Sequence, residues 1–119
     1  MKAKGIEMKI DSYSFGHITI NWKRYNHDVV IYPDRVESWW REEGHKVSIN
    51  DIKDALGKMP DTLIIGTGAS GVIVVPPETK NHIDSQGIEL IVLPTEAACQ
   101  TYNQLSSTKR IIAALHLTC

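Results

Sequence analysis

The chain has 119 residues, of which 42% are hydrophobic and 23% are charged, and its formal net charge is −1. This length suits one domain with a real hydrophobic core. The balanced charge without a basic block predicts no nucleic-acid partner, and the lack of a long apolar run predicts no membrane partner. The N-terminus lacks the apolar core of a signal peptide, so we expect a cytoplasmic protein.

The first third of the chain predicts β structure. Apolar and polar side chains alternate between residues 5 and 33, and Ile18, Ile20 and Trp22 share one face. The polar stretch that follows, which includes His27 and Asp28, is typical of a hairpin turn. The predicted pieces, in order, are a turn at 24–28, a β-branched strand at 29–32 and a short edge strand at 35–40.

The rest of the chain predicts alternating helices and strands. Ser48 is a good N-cap for an amphipathic helix at 49–58, which Pro60 ends. The further predicted elements are a strand at 63–65, a helix at 78–86, a strand at 88–93 covered on both faces, a helix that Thr95 caps, and an apolar segment at 110–117. That last segment is predicted as a final buried strand, with a short helix as the alternative, because periodicity does not separate the two here. The order indicates an α/β fold with a parallel type of sheet.

Gly66, Gly68 and Gly71 form the pattern G-x-G-x-x-G after a predicted strand. A dinucleotide-binding turn also needs a helix that opens at the last glycine, but β-branched residues and two prolines fill 72–77. The glycines are therefore expected to serve tight turns with positive φ. A second reading stays open, in which the N–H groups of the loop, with Thr67 and Ser70, bind a small anion.

Few other residues indicate chemistry. His45, Glu96 and His116 would supply polar groups to a ligand at the glycine turn if the fold brings them close. No pair of histidines or cysteines has a recognised zinc spacing, so we expect no metal and no cofactor. Ser70 lacks the spacing of a nucleophile elbow. The sequence identifies no catalytic residues. This favours a protein that is not an enzyme, but it leaves the question open.

The tryptophan and cysteine pairs each leave two readings. Trp39 or Trp40 would anchor a partner if it lies in a surface patch, since exposed tryptophans are enriched at hot spots; the favoured alternative is that one lies in the core and the other on its rim. Cys99 and Cys119 can pair only through a bent tail, because ten extended residues travel about 33 Å and six helical residues only about 9 Å.

Several separated segments resemble one family of small domains. It includes the adipogenesis-associated domain protein and a mitochondrial complex I assembly factor. The matching pieces are Asp-Val-Val-Ile-Tyr-Pro at 28–33, Ile-Ile-Gly-Thr-Gly at 64–68, Thr-Glu-Ala-Ala at 95–98, Thr-Tyr-Asn at 101–103 and Ala-Leu-His-Leu-Thr-Cys at 114–119. The resemblance implies a single three-layer α/β domain over residues 1–119. It also implies a central mixed sheet whose last strand, at 110–117, is antiparallel to its neighbours.

The family has no established chemistry, so the biochemical activity stays unknown and two hypotheses follow. The first is a non-catalytic interaction or assembly domain with a protein partner, present as a monomer or weak homodimer. The second is a small-molecule or anion-binding protein, or a hydrolase, that uses the turn at Gly66, Thr67 and Gly68. The general rule that a fold does not confer an activity favours the first.

Overall fold

A computed structural model describes residues 7–119, so the first two residues of the predicted β segment lie outside the described part. The strands are β1 (Ile10–Ser14), β2 (His17–Ile20), β3 (Lys23–Tyr25), β4 (Val29–Ile31), β5 (Val36–Ser38), β6 (Thr62–Gly66), β7 (Glu89–Leu93) and β8 (Ile111–Leu115). The helices are a 3-10 helix (Ile49–Ile52), α1 (Lys53–Gly57), α2 (Pro77–Ser85) and α3 (Thr95–Leu105).

The strands form two sheets. β1, β2 and β3 make a small antiparallel sheet, and the larger sheet has the order β5-β4-β8-β6-β7. In the larger sheet β6 is parallel to β7 and β8, whereas β4 is antiparallel to β5 and β8. The predicted mixed sheet is therefore confirmed. The last strand needs a correction, because it is antiparallel to β4 but parallel to β6, as a crossover through α3 requires.

Helices and the small sheet cover the two faces of the larger sheet, which confirms the predicted three layers. On one face, Leu56 of α1 and Ile83 of α2 pack against alternate residues of the central strands. On the other face, Tyr102 of α3 and Ile18 of β2 pack against the intervening residues. This alternation is the period of two that a strand imposes on its side chains.

The two central strands are β6 and β8, and every residue of both is buried. The prediction that 88–93 forms a central strand covered on both faces is wrong, because β7 is an edge strand with half-buried side chains. An apolar run shows that neighbours cover a strand in part, but it does not give the position of the strand in the sheet. The segment at 110–117 is resolved as a strand.

The predicted turn at 24–28 is also wrong. The chain turns earlier, at Asn21 and Trp22, whose φ angles are 49° and 68°, and residues Lys23–Tyr25 form a strand. Two successive positive φ angles are the signature of the tightest hairpin turns, and asparagine tolerates them better than most residues. The Asn21 side chain also accepts a hydrogen bond of 2.8 Å from the backbone N–H of Lys9.

The predicted helix at 49–58 is present in two parts, a 3-10 turn followed by α1. Ser48 precedes it as predicted, and its backbone N–H donates to Asp51 Oδ2 at 2.8 Å. The side chain of Asp51 thus satisfies a donor at the start of the helix. Its Oδ1 accepts the backbone N–H of Glu42 at 3.0 Å, which fastens the preceding loop to the same turn.

Both cysteines are free, with Cys99 buried and Cys119 exposed. Burial and the nearby Glu96 raise the pKa of the Cys99 thiol to about 12. Because the thiolate is the reactive form, a thiol reagent should modify Cys119 about 100-fold faster than Cys99 on the folded protein. Mass spectrometry of partly modified protein measures the ratio. Equal rates in denaturant are the control, and equal rates on the folded protein would contradict the prediction.

Candidate functional site

Polar residues from distant parts of the chain lie together at one end of the strands of the larger sheet. Because β4 and β8 are antiparallel with Val29 opposite Leu115, Asp28 comes to lie beside His116. Gly66, the last residue of β6, is also paired with Leu115, so the glycine turn starts at the same end. This is the carboxyl end of the parallel strands, where ligands of α/β proteins commonly bind.

Asp28 is the centre of the site. Its Oδ2 lies 2.7 Å from His116 Nδ1 and 2.9 Å from Arg41 Nη1, and its Oδ1 accepts the backbone N–H of Leu117 at 2.8 Å. Burial raises the pKa of the Asp28 carboxyl, but the hydrogen bonds from His116, Leu117 and Arg41 outweigh it, so the pKa lies below its ordinary value. The carboxyl is therefore ionised at neutral pH and acts only as an acceptor.

The ionised carboxylate fixes the proton of His116 on Nδ1, because Asp28 has no proton to donate. The contact of 3.2 Å between Arg41 Nη2 and His116 Nδ1 then joins two donors and is not a hydrogen bond. On the other side of the ring, His116 Nε2 lies 3.3 Å from Thr118 Oγ1 and accepts from that hydroxyl. Both ring nitrogens of His116 are thus engaged.

The structure brings His45 and His116 together, with ring centroids 6.5 Å apart and planes at 70°. His45 is exposed, whereas His116 is buried. Glu96 does not join them, because it is exposed in the first turn of α3. Its negative charge instead helps to raise the pKa of Cys99 and of Tyr13. Two of the three polar residues expected near the glycine turn therefore share one place.

Arg41 is held from three sides. Its Nη1 pairs with Asp28, its Nε donates to the carbonyl oxygen of Gly44 at 3.1 Å, and its guanidinium lies 4.6 Å from the ring centroid of Trp39. Trp39 is buried and donates from Nε1 to the carbonyl oxygen of Asp51 at 3.0 Å. Trp40, in contrast, is 83% exposed. The tryptophan pair thus has one member in the core and one outside it.

The backbone of the glycine turn bonds to the chain itself. The N–H groups of Thr67, Gly68 and Ala69 donate to Leu93 O, Thr95 Oγ1 and Thr118 O at 2.9, 2.8 and 2.7 Å. Ser70 and Gly71 are exposed, and no helix begins until Pro77, as the β-branched run predicted. Thr95 is the first residue of α3 and not its cap, since its hydroxyl serves the turn and donates to His116 O at 2.6 Å.

Two of the glycines lie directly against the end of β8 and the segment that follows it. A Cβ atom on Gly68, whose φ is +105°, would lie 2.5 Å from the carbonyl carbon and oxygen of Cys119. A Cβ atom on Gly66 would lie 2.8 Å from the Leu115 side chain. The residues after β8 therefore pack directly on the turn, and this packing accounts for the glycine pattern.

A cleft of 420 Å³ opens beside the charged centre. Its lining residues are His27, Asp28, Ser38, Trp39, Trp40 and Arg41. At its rim, His27 Nδ1 lies 2.9 Å from the Asp28 carbonyl oxygen and 3.5 Å from Ser38 Oγ. The volume falls in the range of small-molecule sites. Sequence reasoning missed Asp28 and Arg41, and the one available signal was an acidic residue directly before a buried strand.

Two absences hold for residues 7–119. No group of three or more histidine, cysteine, aspartate and glutamate side chains could hold a metal ion. No helix in this range is long and apolar enough to cross a membrane.

A family model described as "Protein of unknown function (DUF498/DUF598)" matches residues 10–116. A conserved hypothetical protein from Pyrococcus horikoshii has a similar structure, with a TM-score of 0.87, 34% identity and coverage of 94% of this chain and 100% of that protein. A Mth938-like domain from Bordetella pertussis has a TM-score of 0.73, 21% identity and coverage of 98% and 92%.

Two further relatives carry membrane names. The "13 kDa major membrane protein" of Francisella tularensis is 24% identical over 110 residues, which cover 87% of this chain and 85% of that protein. A structure described as an outer membrane protein from Bartonella henselae has a TM-score of 0.82, 22% identity and coverage of 95% and 97%. The Francisella relative contradicts the predicted set of partners, which excluded a membrane, and that set is withdrawn.

Proposed function

The chain belongs to the DUF498/DUF598 family of proteins of unknown function, and from that premise we propose that it binds a small planar molecule without catalysis. The proposed site is the cleft beside Trp40. The observation that carries the proposal is the hydrogen-bonded network of Asp28, Arg41 and His116, of which Asp28 and Arg41 line this cleft. The network gives the cleft a rigid polar base, and Trp40 gives it an open aromatic wall.

The closed network favours binding over catalysis. Both oxygens of Asp28 and both ring nitrogens of His116 already have partners. The hydrogen-bonding atoms of these two residues are thus held in place by the protein itself. A network in which every polar group is satisfied makes the surroundings rigid, which suits a site that holds a ligand in one orientation.

The rim of the cleft favours a flat ligand with polar edges. The indole of Trp40 is 83% exposed, and stacking on such a ring contributes about 1 kcal/mol beyond the buried area. His27 is also exposed, and Ser38 adds a hydroxyl at the same rim. Aromatic or heterocyclic carboxylates, nucleobases and nucleotides have this combination of a flat face and polar edges.

Replacement of Trp40 by alanine should weaken the binding of such a ligand at least tenfold, or by about 1.4 kcal/mol, because the stacking face is lost. Ligand-detected NMR with a panel of planar carboxylates, nucleobases, nucleotides and inorganic phosphate would identify the ligand and measure the change. Trp22→Ala is the matched control, since Trp22 is 87% exposed and lies in the turn between β2 and β3. Equal losses in both variants, or no ligand at all, would contradict the proposal.

A second candidate is the interaction or assembly domain. Its support is the exposure of Trp40, since exposed tryptophans are enriched at binding hot spots, together with the resemblance to the adipogenesis-associated domain protein and the complex I assembly factor. The same variant separates the two candidates. If no compound of the panel binds, and if a macromolecule that the wild type captures is no longer captured by Trp40→Ala, the second function is favoured.

Three sequence expectations stay predictions. The glycine turn at Gly66–Gly71 stays a candidate ligand site, although its bonded N–H groups led us to place the ligand in the cleft. A cytoplasmic location also stays a prediction, because two relatives have names that refer to a membrane. The extent of one domain over residues 1–119 is the third.

A further inference from the structure

A second and smaller pocket adjoins the same tryptophan pair and is lined by residues of β4, β5, the 3-10 helix and α1. Its volume is 160 Å³. The floor is apolar and consists of the buried side chains of Val30, Ile52, Ala55 and Ala114. The polar lining carries three carboxylates, from Glu37, Asp51 and Asp54, without a lysine or arginine. An apolar floor below a negative mouth is suited to a ligand with an aliphatic chain and a positive end.

The hydroxyl of Tyr32 is the second observation that points to a ligand. Tyr32 is only 3% exposed and lines the pocket, yet within residues 7–119 its hydroxyl has no hydrogen-bond partner. Its oxygen is not sealed from solvent. Because this oxygen is open to solvent and has no partner among the described residues, it is available to a molecule in the pocket.

Charges of both signs surround Tyr32. The ring of Tyr32 also borders a cleft lined by Arg35, Lys58 and Arg110. Burial, Glu37 and Asp54 raise the pKa of Tyr32 above its ordinary value, against a smaller opposing effect of Arg35. The phenol therefore stays protonated at neutral pH, and its oxygen accepts a hydrogen bond beside two carboxylates.

The three carboxylates differ in the hydrogen bonds that they already accept from the protein. Glu37 accepts a hydrogen bond from Arg35, and both oxygens of Asp51 accept backbone N–H groups. Asp54 has no hydrogen bond or ion pair with another described residue. Among these carboxylates Asp54 alone has no hydrogen-bonded partner in the described residues, and the Tyr32 hydroxyl shares that property.

We propose that this pocket binds a primary alkylammonium group. The ammonium has three N–H donors and bonds to Asp54 and the Tyr32 hydroxyl, while the adjacent face of Trp40 adds a cation–π attraction. The aliphatic chain lies on the apolar floor. At roughly 30 Å³ per water molecule the pocket holds about five waters, which matches a ligand of about five heavy atoms, the size of butylammonium. The pocket shares Ser38, Trp39 and Trp40 with the cleft of the proposed function, but its acceptors are Asp54 and Tyr32, so the proposal does not rest on that function.

Titration calorimetry with n-butylammonium, n-butanol and n-butyrate tests the charge. The cation should bind at least tenfold more tightly than the alcohol or the anion, and added salt should weaken its binding, because the attraction is partly electrostatic. Tighter binding of butyrate would overturn the proposal and would place the site in the neighbouring basic cleft.

Variants then test the residues. Asp54→Asn should weaken the binding of butylammonium at least fivefold and Tyr32→Phe about threefold, since a hydrogen bond to a charged group contributes up to a few kcal/mol. Asp84→Asn, on the exposed surface of α2, is the matched control and should leave binding unchanged. Thermal unfolding of each variant reports whether it is folded. Equal affinities for Asp54→Asn and Asp84→Asn would overturn the proposal.

The same chemistry has two sources, a free amine or a lysine side chain. A comparison of n-butylammonium with Nα-acetyl-lysine N-methylamide separates them. Equal or tighter binding of the lysine derivative assigns the pocket to a protein or peptide lysine, and at least tenfold weaker binding assigns it to a free amine. Either result supports an alkylammonium site, whereas no binding of either compound would overturn it.

Discussion

Asp28→Ala should lower the free energy of unfolding by about 3 kcal/mol, because removal of one member of a buried ion pair leaves the other charges without compensation. Arg41 loses its only described carboxylate partner, and the side chain of Asp28 is only 17% exposed. His116 and the backbone N–H of Leu117 lose their acceptor as well. The segment after β8 would then lose its attachment to the start of β4.

Urea denaturation of the wild type and the variant measures this loss. Asp34→Ala is the control, since Asp34 pairs with Arg35 at a side chain that is 75% exposed. Surface pairs contribute about 0–1 kcal/mol, so the control should stay within that range. If the two variants lost the same small amount, the network around Asp28 would not hold the fold together.

The same carboxylate predicts a pH dependence. The pKa of Asp28 is lower in the folded protein than its ordinary value, so its contribution to stability is complete above the unfolded value of about 3.9. The contribution is lost as the pH falls through the folded pKa. We therefore expect the stability gap between wild type and Asp28→Asn to narrow as the pH falls below about 4, and a gap that widens there would contradict the assignment.

Gly68→Ala is expected to cost about 3 kcal/mol, the sum of a strained backbone and a steric clash. The φ of Gly68 is +105°, and an added Cβ would lie 2.5 Å from the backbone carbonyl of Cys119. Relief of this clash must move the segment that carries His116 and Thr118, because Ala69 and Thr118 are hydrogen-bonded at 2.7 Å. The substitution should therefore also disturb the network of Asp28, Arg41 and His116.

Gly16→Ala separates the two contributions. Gly16 has a φ of +87°, but nothing lies within 4 Å of its added Cβ, so this variant should lose only about 1 kcal/mol from backbone strain. Chemical unfolding compares the stabilities, and NMR shifts of the His116 ring report the movement. Equal losses, without a change at His116, would show that the added methyl group is accommodated without movement of the segment after β8, and would contradict the prediction.

The local sequence pattern predicted most of the helices and strands. The β-branched run before Pro33 became β4, and the helical spacing that leads to Leu56 became the 3-10 helix and α1. The run at 72–75 excluded the helix of a dinucleotide site. These results depend on residues within a few positions of one another, which is the range over which side-chain periodicity and backbone preference act.

The sequence by itself thus determined the fold class, the order of helices and strands between residues 49 and 105, and the failure of the glycine pattern as a dinucleotide site. Only the tertiary structure decided that β7 lies at the edge and that Asp28, 88 positions from His116, is the centre of the candidate site. The reason is physical: periodicity tells which face of a strand is covered, but the choice of neighbouring strand and its register comes from packing between distant segments. The glycines at 66 and 68 were visible from the start, and the segment that requires them became visible only when it packed on the turn.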